Sequence, residues 1–253
     1  MISEKQNPFP IKGNCQEYLD IYYPLNERYK VKILNLQNKN LTNELSLKDF
    51  SNLEVLNCSI NRLTSLDISQ DHKLKIIEAF RNKIKANLSI FSHLIQLRKL
   101  DLGVNSEGFS IKPTDQRFIN NSFAGSLESL KNCQELEELN IGYQSEIRKG
   151  LEYLPIKKLR VFNCPGTVFD ELLKPFDYDV LAWKLFYYPM EVFQREFTQE
   201  ELKQALEIIW KESKQELVEI KSQRNQQGTK EKVKIERLES KIRLLEEKIK
   251  SYK

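Results

Sequence analysis

Four cysteines, two histidines and a scatter of carboxylates are the side chains from which this 253-residue sequence could build chemistry. Cys15, Cys58, Cys133 and Cys164 show no CxxC spacing, and neither His72 nor His93 lies beside any of them. No metal-ligand set forms, and no metal or other cofactor is expected. A thiol becomes a nucleophile only beside a base that deprotonates it; no such base is evident, so the cysteines read as free core or surface thiols. A glycine-rich phosphate loop, HExxH and GxSxG are all missing, and the expectation is a protein that is not an enzyme.

The charges are numerous but balanced. Lys and Arg number 40 against 36 Asp and Glu, for a net +4, and residues 198–253 hold 14 basic and 11 acidic side chains, close to the same balance. No polycationic surface follows, so nucleic acid is not an expected partner. The 40% hydrophobic content can fill a core, yet no window nears the roughly 20 apolar residues that span a bilayer. The start, MISEKQNPFPIKGN, lacks a basic stretch followed by an apolar run. A soluble, cytoplasmic protein with no membrane partner is expected.

What must position any site is a repeat. LEVLNCSINRL places Leu53, Leu56, Cys58, Asn61 and Leu63 at its first, fourth, sixth, ninth and eleventh positions, and LKIIEAFRNKI places Leu74, Ile77, Ala79, Asn82 and Ile84 in the same way. VKILNLQNKNL, LRKLDLGVN, LEELNIGYQ and LRVFNCPGTVF repeat the pattern in part. The starts at 31, 53, 74, 97, 136 and 159 are spaced 22, 21, 23, 39 and 23, so an insertion lies within 103–121, where Asn121 and Phe123 resume what Asn105 begins.

This pattern resembles the leucine-rich-repeat family and its LxxLxLxxN/CxL motif; NSFAGSLESLKNCQELEELNI and GLEYLP also resemble large fungal families of such proteins. The resemblance implies an α/β fold: a leucine-rich repeat solenoid, a right-handed superhelix with a parallel sheet on its concave face, bearing helical caps and a C-terminal coiled-coil helix. In the family the ninth-position Asn bonds the backbone of neighbouring turns. Asn61 and Asn82 should do so, while Lys39, Gln144 and Thr167 depart from that ladder and predict looser rungs. Cys58 and Cys164, at the sixth position, should be small buried hydrophobes.

Residues between the core positions project from the sheet in columns. The fifth reads Asn35, Asn57, Glu78, Asp101, Asn140 and Asn163, flanked by Ile60, Phe80, Arg81 and Tyr143. Aromatic and Arg side chains on a rigid surface dominate many protein interfaces, so Asn57, Ile60, Glu78, Phe80, Arg81, Asp101, Asn140 and Tyr143 form the expected binding face for a protein or peptide. Glu78 and Asp101 on adjacent strands could in principle form an acid–base pair, but a shallow sheet gives them no cleft. In the insertion, Phe109, Arg117 and Phe118 could extend the contact area.

The ends need covers, because a stack of repeats otherwise exposes its core. Residues 1–30 read as an N-terminal cap, with Asn14 capping a short helix that Pro24 ends; residues 31–175 hold the repeats, and 176–197 a closing cap with Trp183, Phe186 and Met190. In 198–253 the sequence TQEE matches a capping box at Thr198 and Glu201, and Ile235, Leu238, Ile242, Leu245, Ile249 and Tyr252 recur as a heptad seam. A continuous coiled coil and a hairpin folded at Gly228 are both open, the former preferred. A homodimer through residues 235–252 would follow, and the leading reading is an adaptor that self-associates there. The alternative is an assembly component that docks through the terminal helix, with the repeats as spacer.

Overall fold

A computed structural model describes residues 13–104, 119–155, 158–176, 179, 181–182, 198–222 and 229–252. Asn105, Phe109, Arg117, Phe118, Trp183, Phe186, Met190 and Gly228 lie outside the described residues. The chain divides into two compact units, Met1–Thr167 and Val168–Lys253.

The first unit is a parallel coil. Strands β1 (Ile33–Asn35), β3 (Val55–Asn57), β5 (Ile76–Glu78), β7 (Lys99–Asp101), β9 (Glu138–Asn140) and β11 (Val161–Asn163) form one six-stranded sheet in chain order. Between them run β2 (Thr42–Ser46) and β4 (Arg62–Asp67), which pair with each other, and β6 (Lys85–Asn87), β8 (Ser122–Ser126) and β10 (Glu146–Lys149), which form a third sheet. Alternation within each LxL turns its two apolar residues inward. Leu34, Leu56, Ile77, Leu100 and Leu139 are fully buried, as are Leu36, Cys58, Ala79, Leu102 and Ile141 two residues on. A buried Leu contributes about 2 kcal/mol, and no single turn could bury its own set.

Side-chain amides tie the turns together. Asn61 Oδ1 accepts the Lys39 and Leu41 N–H groups (3.1 and 2.9 Å), and its amide donates to the Leu36 and Cys58 carbonyls (2.8 and 3.0 Å). Asn82 accepts from Leu63 N–H at 3.0 Å and donates to the Cys58 and Ala79 carbonyls (2.9 and 3.1 Å). Asn121 continues the ladder after the insertion, accepting from Ile84 N–H and donating to the Ala79 and Leu102 carbonyls. Gln144 corrects the expectation of a loose rung: its Oε1 accepts from Phe123 N–H at 2.9 Å, and its amide donates to the Leu102 carbonyl at 3.3 Å. One extra methylene leaves the same donor and acceptor within reach. The Thr167 hydroxyl donates to the Cys164 carbonyl within its own turn.

Helix α1 (Cys15–Tyr22) precedes the first turn, with Asn14 Oδ1 accepting the Gln16 N–H at its start. Cys15 and Leu19 face the core, and burial pushes the Cys15 thiol up to about 12. Arg28 is buried among compensating partners: its Nε donates to the Tyr23 carbonyl, its guanidinium pairs with Asp20 and Asp49, and the Phe50 ring lies 5.6 Å away. The Arg28 hydrogen bond holds the Asp20 carboxyl below its ordinary value.

The second unit contains α2 (Val168–Leu173), α3 (Gln199–Ser222) and α4 (Thr229–Lys250). Thr198 and Glu201 exchange hydrogen bonds at the start of α3. The coiled-coil preference is corrected here, because α3 and α4 pack on one another as an antiparallel hairpin. Trp210 Nε1 and Lys214 both reach Glu246, Glu216 pairs with Lys234, and Lys221 pairs with Glu239, so the middle of α3 meets the C-terminal half of α4 and its last turns meet the first half. Leu202, Leu206 and Ile209 are buried on α3, as are Leu238, Ile242 and Leu245 on α4. A seam too short to be stable alone finds its partner within the same chain, where effective concentration far exceeds that of a second copy. Lys241, 7% exposed, pairs with Asp179 at 2.8 Å in the same unit.

Candidate binding face

In-register parallel pairing turns sequence positions into straight columns. Ile33, Val55, Ile76, Lys99, Glu138 and Val161 align across the six strands, and two residues further on Asn35, Asn57, Glu78, Asp101, Asn140 and Asn163 align in the same way.

The fifth-position column is knitted to itself. Asn57 donates to Glu78 at 2.7 Å and accepts from the Ser59 N–H and hydroxyl. Lys99 pairs with Glu78 at 2.8 Å and Glu138 at 3.5 Å, and the Glu78 contact raises its pKa. Asn140 donates to Asp101 at 2.8 Å and to the Gly103 carbonyl, and accepts the Gly142 N–H. It is 7% exposed, so the expectation that Asn140 offers itself to a partner is corrected: its amide is used inside the turn. Burial pushes the Asp101 carboxyl up to about 6, against the opposing pull of the Asn140 hydrogen bond. Glu78 and Asp101 thus sit on adjacent strands, each with its own amide partner.

The third-position column carries the apolar contact area, and none of the eight expected residues belongs to it. Ile33 is 68% exposed, Val55 and Ile76 are half-buried, and Val161 at the opposite edge is 41% exposed. The signal was present in the sequence as apolar residues at a non-core position in three successive repeats.

At the sheet margin, Ile60, Arg81 and Tyr143 share a backbone state: each occupies the eighth position with φ of 57°, 55° and 60°, matched there by Asn38 at 54° and Gly166 at 68°. The left-handed region suits Gly and Asn and strains a β-branched residue such as Ile60. These three and Phe80 are half-buried. Asn120 donates to the Tyr143 carbonyl at 3.1 Å. Beside this ridge, Asn38, Asn40, Ile60, Asn61, Arg62, Arg81 and Ile119 line a shallow cleft of about 170 Å³. One turn further, Gly103 and Gly142 permit a close approach, since a Cβ on Gly103 would lie 2.1 Å from the Gly142 nitrogen.

Away from the sheet, Asp71 lies in the turn between β4 and β5. It is 2% exposed, and neither carboxylate oxygen has a hydrogen-bond partner among the described residues. Burial, with the nearby Asp67 charge adding to it, pushes its pKa from 3.8 to about 7. The ring of His72, the next residue in sequence, meets that of His93 edge to face, 5.2 Å apart. All four cysteines are free and buried, and among the described residues no group of three His, Cys, Asp or Glu side chains could hold a metal. No described helix is long and apolar enough to cross a membrane.

Recurring LxxLxL strands, an amide ladder and a parallel sheet in chain order make the first unit a leucine-rich-repeat solenoid. No family model matches the chain, and no curated protein matches it in sequence. Among solved structures, 54% of the chain is similar to 21% of the plant peptide hormone receptor RGFR1 in complex with RGF2, at 22% identity and a TM-score of 0.44. An internalin (inlF) from Listeria monocytogenes matches 56% of this chain over 37% of its own, at 20% identity and 0.45. The LRR ectodomain of the receptor kinase SOBIR1 from Arabidopsis thaliana matches 53% over 69% of its own, at 24% identity and 0.40. The chain spans well under half the length of the first two.

Proposed function

We propose that the chain is a cytoplasmic protein–protein interaction adaptor whose six-stranded sheet receives a protein or peptide. The exposed Ile33, continued by Val55 and Ile76 and flanked by Phe80, carries the reading. Apolar side chains held in a straight column on hydrogen-bonded strands lose little freedom when a partner covers them. The free cysteines accord with a reducing compartment. Self-association through residues 235–252 has less support, since a second copy would have to displace α3 from Leu238, Ile242 and Leu245.

A photo-crosslinking amino acid in place of Phe80, in the full chain in cells, should give a discrete protein adduct that the same probe at exposed Ser69 does not. Ile76→Ser should abolish the adduct without lowering the melting temperature. Equal labelling from both probes would refute the reading. The second reading, docking of a larger complex on the hairpin, draws on Ile208 and Val218, 57% and 61% exposed on α3. It predicts an adduct from a probe at Ile208 that survives Ile76→Ser.

A further inference from the structure

We propose that the cleft beside the six-stranded sheet is a carboxylate-binding subsite, which anchors an acidic side chain or the free C-terminus of a peptide lying on that sheet. The inference rests on the sheet being the binding face. Of the seven lining residues, Arg62 and Arg81 are cationic, Asn38 and Asn40 carry amides, and none is acidic. Asn61 is consumed by the ladder, its oxygen and amide hydrogens all bonded to backbone. Arg62 is exposed and forms no ion pair with the described residues, whereas Lys32, Lys75 and Lys99 on the sheet are neutralised by Glu54, Glu78 and Glu138. Arg62 is therefore a positive charge lining the cleft that remains for a ligand, and a guanidinium fork matches a carboxylate in two parallel hydrogen bonds.

The surrounding backbone fixes the donors. Asn38, Asn40, Ile60 and Arg81 all have left-handed φ, between 54° and 57°, and Asn38 and Ile60 are bonded through their own N–H groups to the Ser59 and Phe80 carbonyls. The cleft walls are thus parts of rigid turns, and Ile60 and Ile119 give the site an apolar flank against which the charge-assisted bonds are strengthened. A cleft of about 170 Å³ has room for a carboxylate with a short stem.

The test is titration of the isotopically labelled full chain, reading the Arg62 Nε–H and the Asn38 and Asn40 side-chain amides by NMR. Four probes are used: a blocked pentapeptide with a central Glu in a glycine background, blocked pentaglycine with a free C-terminus, the same peptide amidated, and inorganic phosphate. Saturable shifts are expected with the Glu peptide or the free-acid peptide, which separates the two sources, and not with the amide. Arg62→Gln should weaken binding about tenfold, the loss of one charge-assisted contact. Absence of shifts with both carboxylate peptides, response to phosphate alone, or an unchanged affinity in Arg62→Gln would overturn the proposal. Phe80 crosslinking that persists in Arg62→Gln while the shifts are absent would sink this subsite and leave the sheet's role standing.

Discussion

Replacing Asp71 by Asn should stabilise the first unit, and by an amount that depends on pH. The carboxyl is buried with no hydrogen-bond partner, and its pKa is raised from 3.8 to about 7. A group whose folded pKa is raised holds its proton in the folded state after the unfolded chain has released it. Its contribution is fully present below about pH 4 and is lost as pH rises towards 7, with stability falling by up to about 1.4 kcal/mol per pH unit in that window. Over the whole interval the loss is at most about 4 kcal/mol, and the usual cost of one unsatisfied buried polar group, about 1–3 kcal/mol, suggests the lower half of that range. Asn has the same shape and no charge to desolvate. Asp71→Asn should therefore match the parent at pH 4 and exceed it by about 1–2 kcal/mol at pH 8. Trp183 and Trp210 both lie beyond Thr167, so fluorescence reports on the other unit; hydrogen exchange at the Leu63 and Ile77 amides is the appropriate measurement. A difference between variant and parent that is flat from pH 4 to pH 8 would refute the reasoning.

Other outcomes follow from the ladder, the turns and the hairpin. Asn82→Ala strands the Leu63 N–H, while the Cys58 and Ala79 carbonyls keep the amides of Asn61 and Asn121, and should lower stability by about 1–3 kcal/mol in urea titrations followed by circular dichroism. Gly103→Ala places a methyl 2.1 Å from the Gly142 nitrogen and should cost more than about 2 kcal/mol or prevent folding of that unit, whereas a neutral result would mean the turns are looser than described. Leu238→Ala should lower the unfolding midpoint of the second unit by the equivalent of about 2–5 kcal/mol, read from Trp210 fluorescence, while exchange at Leu63 is unchanged. Light scattering of the intact chain should return the mass of one copy, 29.9 kDa.

The coil was legible because its signal is local and repeated: Leu56 with Cys58 and Ile77 with Ala79 declare the same alternation at the same offset, and Asn61 and Asn82 then have one place to go. Gln144 was harder to read because the ladder needs an amide rather than a particular residue, a distinction that pattern matching to Asn does not make. Asn140 shows the opposite failure. Its column position projects from the sheet, but the short turn through Gly142 and the neighbouring Asp101 absorb every polar atom it has. The hairpin was undecidable from periodicity, since a heptad seam specifies that an apolar stripe must be covered and is silent about which helix covers it. The Ile33, Val55 and Ile76 column is just as periodic, but a single apolar residue at a surface position is ordinary, and only the register that stacks three of them makes a contact area.

The ladder passes from Asn82 to Asn121 through the Ala79 carbonyl, which accepts from both amides, although 38 residues separate them. The spiral, in other words, counts rungs and is indifferent to how much polypeptide is spent between Val104 and Ile119. That makes the interval a natural docking port for protein engineering: a foreign epitope or fluorescent reporter spliced there should leave the melting curve where it was.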